Sequence, residues 1–422
     1  MAFSRPKGTS DFFGEQILEW QAIEDIIREL CAGFLINEIR TPMYEYAELF
    51  RRGVGETTDI VQKEMFTFKD AGDRLFALRP EGTANVARAF IENGMASLPM
   101  PLKLYYIMPV FRAEKPQKGR FRQHHQFGVE YFGAAGPECE AEVISVASAL
   151  LERIGIKGAV PHINSLGCKD CRAAYNAALK MFLGDNLEKL CPICRGRFEK
   201  NPLRVLDCKN AECAGLVANA PLSVDIMDEE CGNHFEGVKR NLDLLGIDYI
   251  VSERLVRGLD YYTRTVFEFK STDLGAQDSL LGGGRYDGLM KDCGGPDTAA
   301  VGFGMGLERL LIILEGQGVK LSDIDIRPVF AGFIGGRGRD EAVKLVQNLR
   351  KNGIPAEFDL LGRSVKAQMK YADKLGAAYA IVIGDGEIEN DSVEVRDMRK
   401  GGSEVQSLSN LSEYFVRLYK EA

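Results

Sequence analysis

Arg257, Asp260, Tyr261 and Tyr262 fall within six consecutive positions, RGLDYY, just ahead of the alternating β-branched and aromatic run TRTVFEF. A guanidinium fork and phenol hydroxyls are groups that orient a small polar molecule. A second set carries Arg112 and Glu114. In an extended chain they share one face, with Phe111 and Ala113 on the other. That pair suits a nucleotide, the guanidinium forking onto phosphate and the carboxylate accepting from an exocyclic amine. A surface hairpin with solvated charges explains the same residues.

Glu81 and Thr83 in LRPEGTANVAR, with Gln126 in RQHHQFGVEYFG, supply the carboxylate, hydroxyl and amide oxygens that hold an ammonium. Thr83 reads equally as a helix N-cap, and Glu81 as a first-turn charge against the helix dipole. Gln126, Gly128 and Glu130 share one strand face at a period of two. In GFGMGLERLL, Gly302, Gly304 and Gly306 permit close backbone approach and Arg309 follows on a helix. Their spacing is neither a dinucleotide fingerprint nor a P-loop, and plain helix packing is the alternative. Three glycines precede Tyr286 in GGGRYDGL, where they could simply turn a hairpin.

The elements that must position these residues follow from periodicity. Apolar positions from Ile17 to Leu30 recur at helical spacing, which predicts a long amphipathic helix. Strand-like runs follow at FLINEIRT, KEMFTFKD, RLFALRP, KLYYIMPVFRAE and RQHHQFGVEYFG, the last two joined by the basic KPQKGRF as a long antiparallel hairpin. From 172 to 245 the sequence turns helical and cysteine-bearing, which predicts a domain inserted into a sheet domain spanning 1–325. From 326 to 422, strands and helices alternate as in a small α/β domain with a parallel or mixed sheet. The fold class is α+β.

A chain of 422 residues predicts two or three domains, and 45% apolar with 27% charged residues describes a globular protein. No apolar run approaches the roughly 20 residues that span a bilayer, and the start lacks a signal-peptide core, so a cytosolic location is expected and no membrane partner. A net charge of −8 argues against non-specific adhesion to DNA. Ten cysteines in a reducing compartment are expected as thiols or metal ligands. Cys191 with Cys194, and Cys208 with Cys213, form two short pairs that could close a tetrahedral zinc site; buried or idle thiols are the alternative. Cys168, Cys171, Cys231 and His234 could supply a second.

Taken in order, the segments resemble a class II aminoacyl-tRNA synthetase. NEIRTPMYEYAELF is similar to its first motif, VFRAEKPQKGRFRQHHQFGVEYFG to its second and AVGFGMGLERLL to its third. RGLDYYTRTVFEF and GGGRYDGL resemble the two peptides particular to the histidyl-tRNA synthetase family, and the likeness runs from RPKGTSDF to GDGEIENDSVEVRDM. It implies an antiparallel-sheet catalytic domain with an insertion, and a C-terminal anticodon-binding domain.

The resemblance also implies roles. Glu130 would accept from one imidazole nitrogen of histidine and Tyr262 donate to the other, with Tyr261 and Tyr286 walling the pocket. Glu81, Thr83 and Gln126 would hold the α-amino group. Arg112 and Arg257 would sit at the α-phosphate of ATP, Arg309 near the γ-phosphate and Glu114 at adenine, with Mg2+ accompanying the pyrophosphate. Lys115, Lys118 and Arg120 would meet the acceptor end of tRNA(His), and Pro42 a homodimer interface. Reading histidine through buried polar pairs rejects analogues by roughly 10⁴ to 10⁵, so no editing domain is expected. A non-catalytic relative, the regulatory subunit of an ATP phosphoribosyltransferase, is the competing expectation; it would lose parts of the histidine peptides and the C-terminal domain.

Overall fold

In the computed structural model, which describes residues 3–55, 58–208, 210–271, 273, 279–322 and 327–420, the chain forms two compact units, Met1–Ser322 and Asp323–Ala422. The expected boundary between 325 and 326 lies outside the described residues.

In the first unit, strands β1 (Asn37–Glu38), β2 (Tyr44–Tyr46), β3 (Thr67–Lys69) and β4 (Leu75–Leu78) follow the opening helix α1 (Glu15–Gly33). Helix α2 (Ala47–Val54) lies between β2 and β3, and α3 (Thr83–Glu92) leads to the hairpin of β5 (Leu102–Phe111) and β6 (Gln123–Phe132). After α4 (Glu138–Arg153) come β7 (Val160–Ser165) and five helices: α5 (Lys169–Gly184), α6 (Pro192–Lys200), α7 (Leu203–Leu206), α8 (Ala211–Val217) and α9 (Glu229–Leu244). The unit closes with β8 (Ile250–Val251), β9 (Thr263–Lys270), β10 (Ser279–Arg285), α10 (Leu289–Asp292), β11 (Ala300–Gly306) and α11 (Leu307–Gln317).

Eight strands make the main sheet in the order β1-β5-β6-β11-β10-β9-β7-β8. Every pairing from β5 to β7 is antiparallel. The pleat sends alternate residues of β6 to opposite faces. Phe127, Val129 and Tyr131 pack with residues of α1, α4, α9 and α11 in one core, while Gln126, Gly128 and Glu130 point to the other face. Arg112 to Glu114 lie just past the end of β5 at Phe111, not on the strand.

The inserted segment also differs from expectation at its end. Helices α5 to α8 share their own core around Tyr175, Leu179, Cys194 and Cys213. Phe235, Val238 and Leu242 of α9 belong instead to the core of the main sheet, because that helix packs on α4. The glycines 282–284 do not turn a hairpin; they lie inside β10.

The second unit carries a five-stranded mixed sheet, β13 (Ala356–Phe358), β12 (Val329–Phe333), β14 (Tyr379–Ile383), β15 (Val393–Asp397) and β16 (Gly402–Gln406). Strand β12 is parallel to β13 and β14, and β15 and β16 are antiparallel. Helices α12 (Gly335–Lys351), α13 (Val365–Lys374), α14 (Asp385–Glu389) and α15 (Leu411–Lys420) complete it.

Candidate active site

Glycine creates the floor of the site. Register aligns Glu268, Gly282, Gly304, Gly128 and Tyr106 across β9, β10, β11, β6 and β5, so three adjacent strands have no side chain at the same level. Other side chains fill that trough. A Cβ at Gly282 would lie 1.9 Å from an Arg257 guanidinium nitrogen, and one at Gly304 2.0 Å from Gln126 Nε2. In the next row, a Cβ at Gly302 would lie 2.0 Å from Glu130 Oε2.

Two charge groups lie over this floor. Glu81 precedes α3 and is buried; its carboxylate accepts from the backbone N–H groups of Thr83 and Ala84, each at 2.8 Å, which caps the helix in place of Thr83. Thr83 is thereby free to donate its hydroxyl to Glu130 at 2.7 Å. Glu130 is fully buried and also accepts from Tyr106 at 3.3 Å and from Tyr286. Burial pushes its carboxyl up to about 8 against the pull of those three hydroxyls. Burial raises Glu81 as well. Gln126 Oε1 accepts from the Gly82 N–H at 3.1 Å. Tyr261 packs tilted against Tyr262 and edge-on against Tyr286, with ring centroids 4.6 and 5.5 Å apart.

The second group is cationic. Arg112 donates to Pro80 O at 2.9 Å and Arg309 to Gly119 O at 2.9 Å. Among the described residues neither has a carboxylate at ion-pair distance. Burial and the charges of Arg112 and Arg120 lower the pKa of Arg309. Arg257 pairs with Glu268 at 2.6 Å, while its buried Nε has no partner among the described residues. Glu114 pairs with Arg120 at 3.2 Å.

These residues line one open cleft. It brings together Glu81, Thr83, Gln126, Tyr261, Tyr262, Arg112, Glu114, Arg257 and Arg309. Glu130 and Tyr286 sit beneath its wall. Arg120, grouped in the sequence with Lys115 and Lys118, also lines the cleft, paired with Glu114 at 3.2 Å. Lys115 and Lys118 are exposed, as is Pro42, whose carbonyl accepts from Arg79 at 3.1 Å.

Two residues of the cleft, and one that contacts it through Arg257, were not singled out in the sequence. His124 shares the face of Gln126 and Glu130 by the same period of two, so alternation alone could have found it. Burial, with Arg112 and Arg309 beside it, depresses its pKa to about 3, and its Nδ1 has no partner among the described residues. Glu308 accepts from the His125 backbone at 2.9 Å, and Glu268 orients Arg257. Register places Glu268 opposite Gly282, and the packing of α11 against β6 brings Glu308 to His125.

The profile of the histidyl-tRNA synthetase family matches residues 15–167 and 229–310. The chain belongs to the histidyl-tRNA synthetase family. An anticodon binding domain profile matches residues 329–418, within the second unit. The chain is 53% identical over 411 residues to a histidine–tRNA ligase of Acetivibrio thermocellus, covering 97% of this chain and 99% of that one. It is 48% identical to the histidine–tRNA ligase of Desulforamulus reducens, covering 97% and 98%. The crystal structure of apo S. aureus histidyl-tRNA synthetase is similar with a TM-score of 0.84 and 40% identity, covering 98% of this chain and all of that one. The synthetase profile passes over residues 168–228, which hold six of the ten cysteines.

That segment holds two groups of possible metal ligands. Cys191, Cys194, Cys208 and Cys213 converge with all ligand atoms within 4.8 Å of one another. The second group is Cys168, Cys171, Asp228 and Cys231. His234, expected there, is instead bound to Glu140 at 2.6 Å and to Arg264 at 3.0 Å.

Proposed function

We propose that the chain is a histidine–tRNA ligase, which activates L-histidine with ATP and then transfers it to the 3′ end of tRNA(His). The observation that carries this reading is the division of one cleft into buried carboxylates on one side and, on the other, Arg112 and Arg309, which have no carboxylate partner among the described residues. Glu81 with Gln126 suits an ammonium. Glu130, buried with Thr83, Tyr106 and Tyr286 around it, suits an imidazole N–H, and Tyr262 offers the opposite donor.

In the first step a histidine carboxylate oxygen attacks the α-phosphorus and the bond to pyrophosphate breaks. Negative charge gathers on the α-phosphate oxygens, so fixed cations there stabilise the transition state most. Arg112 and Arg257 are the residues for that role, with Glu268 holding Arg257 in orientation. Arg309 serves the γ-phosphate and Glu114 adenine. Neutral His124 lies beside Arg112 and Arg309, where it can hydrogen-bond a phosphate without adding charge. Mg2+ enters with the triphosphate, whose oxygens are its natural ligands.

In the second step the terminal adenosine hydroxyl attacks the adenylate carbonyl and AMP leaves. Lys115 and Lys118, exposed beside the cleft, are suited to backbone phosphates of the acceptor end. The second unit serves the anticodon. Around exposed Pro42, the aromatic and apolar side chains of Met43, Tyr44, Tyr46 and Phe68 are also exposed, which supports a homodimer through this surface. Zinc fits the four thiols of Cys191, Cys194, Cys208 and Cys213, with Cys191 and Cys208 sulfurs 3.9 Å apart. A cytoplasmic location fits the reaction, and no helix among the described residues is long and apolar enough to cross a membrane.

The reading is tested by charging purified tRNA(His) with labelled histidine. Acid-stable histidine on the tRNA supports it. Histidine binding with no charging supports the regulatory-subunit alternative.

A further inference from the structure

We propose that Cys168, Cys171, Asp228 and Cys231 hold a zinc ion that clamps the two ends of the inserted body together behind the tyrosine loop. Cys168 and Cys171 open α5, where the chain leaves the main sheet, and Asp228 and Cys231 open α9, where it returns.

The geometry is that of a tetrahedral site. Zinc–sulfur bonds of about 2.3 Å place two sulfurs roughly 3.8 Å apart, and a carboxylate oxygen about 3.5 Å from a sulfur. The sulfurs of Cys168 and Cys171 are 3.6 Å apart, and Asp228 Oδ2 lies 3.5 and 3.1 Å from them. Backbone donors point at the sulfurs: the Cys168 N–H at Cys231 Sγ and the Asp228 N–H at Cys171 Sγ, both at 3.2 Å. Asp228 Oδ1 is engaged separately, capping α9 through the Cys231 N–H at 2.7 Å, which leaves Oδ2 for the metal. A soft thiolate set in a tetrahedron selects zinc over magnesium or calcium.

The clamp reaches the cleft from both ends. Beside Cys171, Arg172 donates to the carbonyls of Asp260 and Tyr262 at 2.7 and 2.9 Å. Beside Cys231, Glu230 and His234 hold the Arg264 guanidinium, and Arg264 takes a positive φ of 49°. The segment carrying Tyr261 and Tyr262 is thus pinned by the two helices whose starts the metal joins. Its effect on histidine rests on the proposed function; the metal count does not.

Elemental analysis of the full chain purified without chelator is the test, on wild type, Cys168→Ser/Cys171→Ser and Cys191→Ser/Cys194→Ser. Two zinc ions per wild-type chain and one in each variant are expected. A wild-type chain whose metal is all retained in the first variant overturns the site. Where a variant does not fold, cobalt(II) is titrated into metal-free wild-type chain. Two equivalents with thiolate-to-cobalt absorption support the proposal, and a single equivalent overturns it. Asp228→Asn keeps the helix cap but weakens the metal site. It is expected to raise the Kd of histidine several-fold and leave that of ATP unchanged. An unchanged histidine Kd after loss of the second zinc overturns the clamp.

Discussion

Glu130 has the most consequential environment of any single residue in the cleft. Its folded pKa, pushed up to about 8 by burial, lies above the ordinary 4.5, so the folded chain keeps a proton that the unfolded chain releases. Its contribution to stability is therefore fully present below 4.5 and is lost as pH rises through about 8. Urea melts across that window should show a decline that Glu130→Gln flattens. Histidine binding runs the other way. A carboxylate acceptor for the imidazole N–H requires that proton to leave, so affinity should rise up to about pH 8 and then level. Calorimetric titration at several pH values checks this, and the rise should be absent in Glu130→Gln. The type of this residue and its strand face were legible from alternation. Its three hydroxyl partners were not, since Thr83, Tyr106 and Tyr286 come from distant segments.

At the scale of elements, the glycine trough explains how a sheet interior can hold a polar site. Tyr106 lies over Gly128, where a Cβ would sit 2.2 Å from its ring. Gly128→Ala should therefore destabilise the catalytic unit by about 1–3 kcal/mol, the cost of overpacking a fixed core, measured by thermal or urea unfolding. Gly304→Ala meets only the end of Gln126, a side chain that can move; its effect should fall on histidine KM more than on stability. The hairpin of β5 and β6 was legible because two long alternating runs flank a short basic turn. Strand β10 was not. Three consecutive glycines signal a turn locally, and only the register of four neighbouring strands shows why a strand needs them. Asp228 was likewise hidden: residue type favoured His234, but Glu140 and Arg264 already hold that imidazole.

For the whole molecule, an acidic chain must still bind a polyanion. The proposed acceptor-end contacts of Lys115 and Lys118 would be a local means to do so, and Lys115→Ala/Lys118→Ala should then raise the KM for tRNA and flatten its dependence on salt. Pyrophosphate exchange, which needs no tRNA, should be unaffected. The two-unit division and the α+β class were legible from the change of periodicity along the chain. The end of the insertion was not, because α9 is helical like the body before it and differs only in what it packs against.

The central claim is that this cleft forms histidyl-adenylate using arginine charge at the α-phosphate. It is tested most directly by exchange of labelled pyrophosphate into ATP, run with each standard amino acid in turn and repeated with Arg257→Ala. Exchange with histidine alone, reduced by about 10²–10³ in the variant, is the predicted result. Exchange that persists at the wild-type rate in Arg257→Ala, or none with any amino acid, would contradict the account.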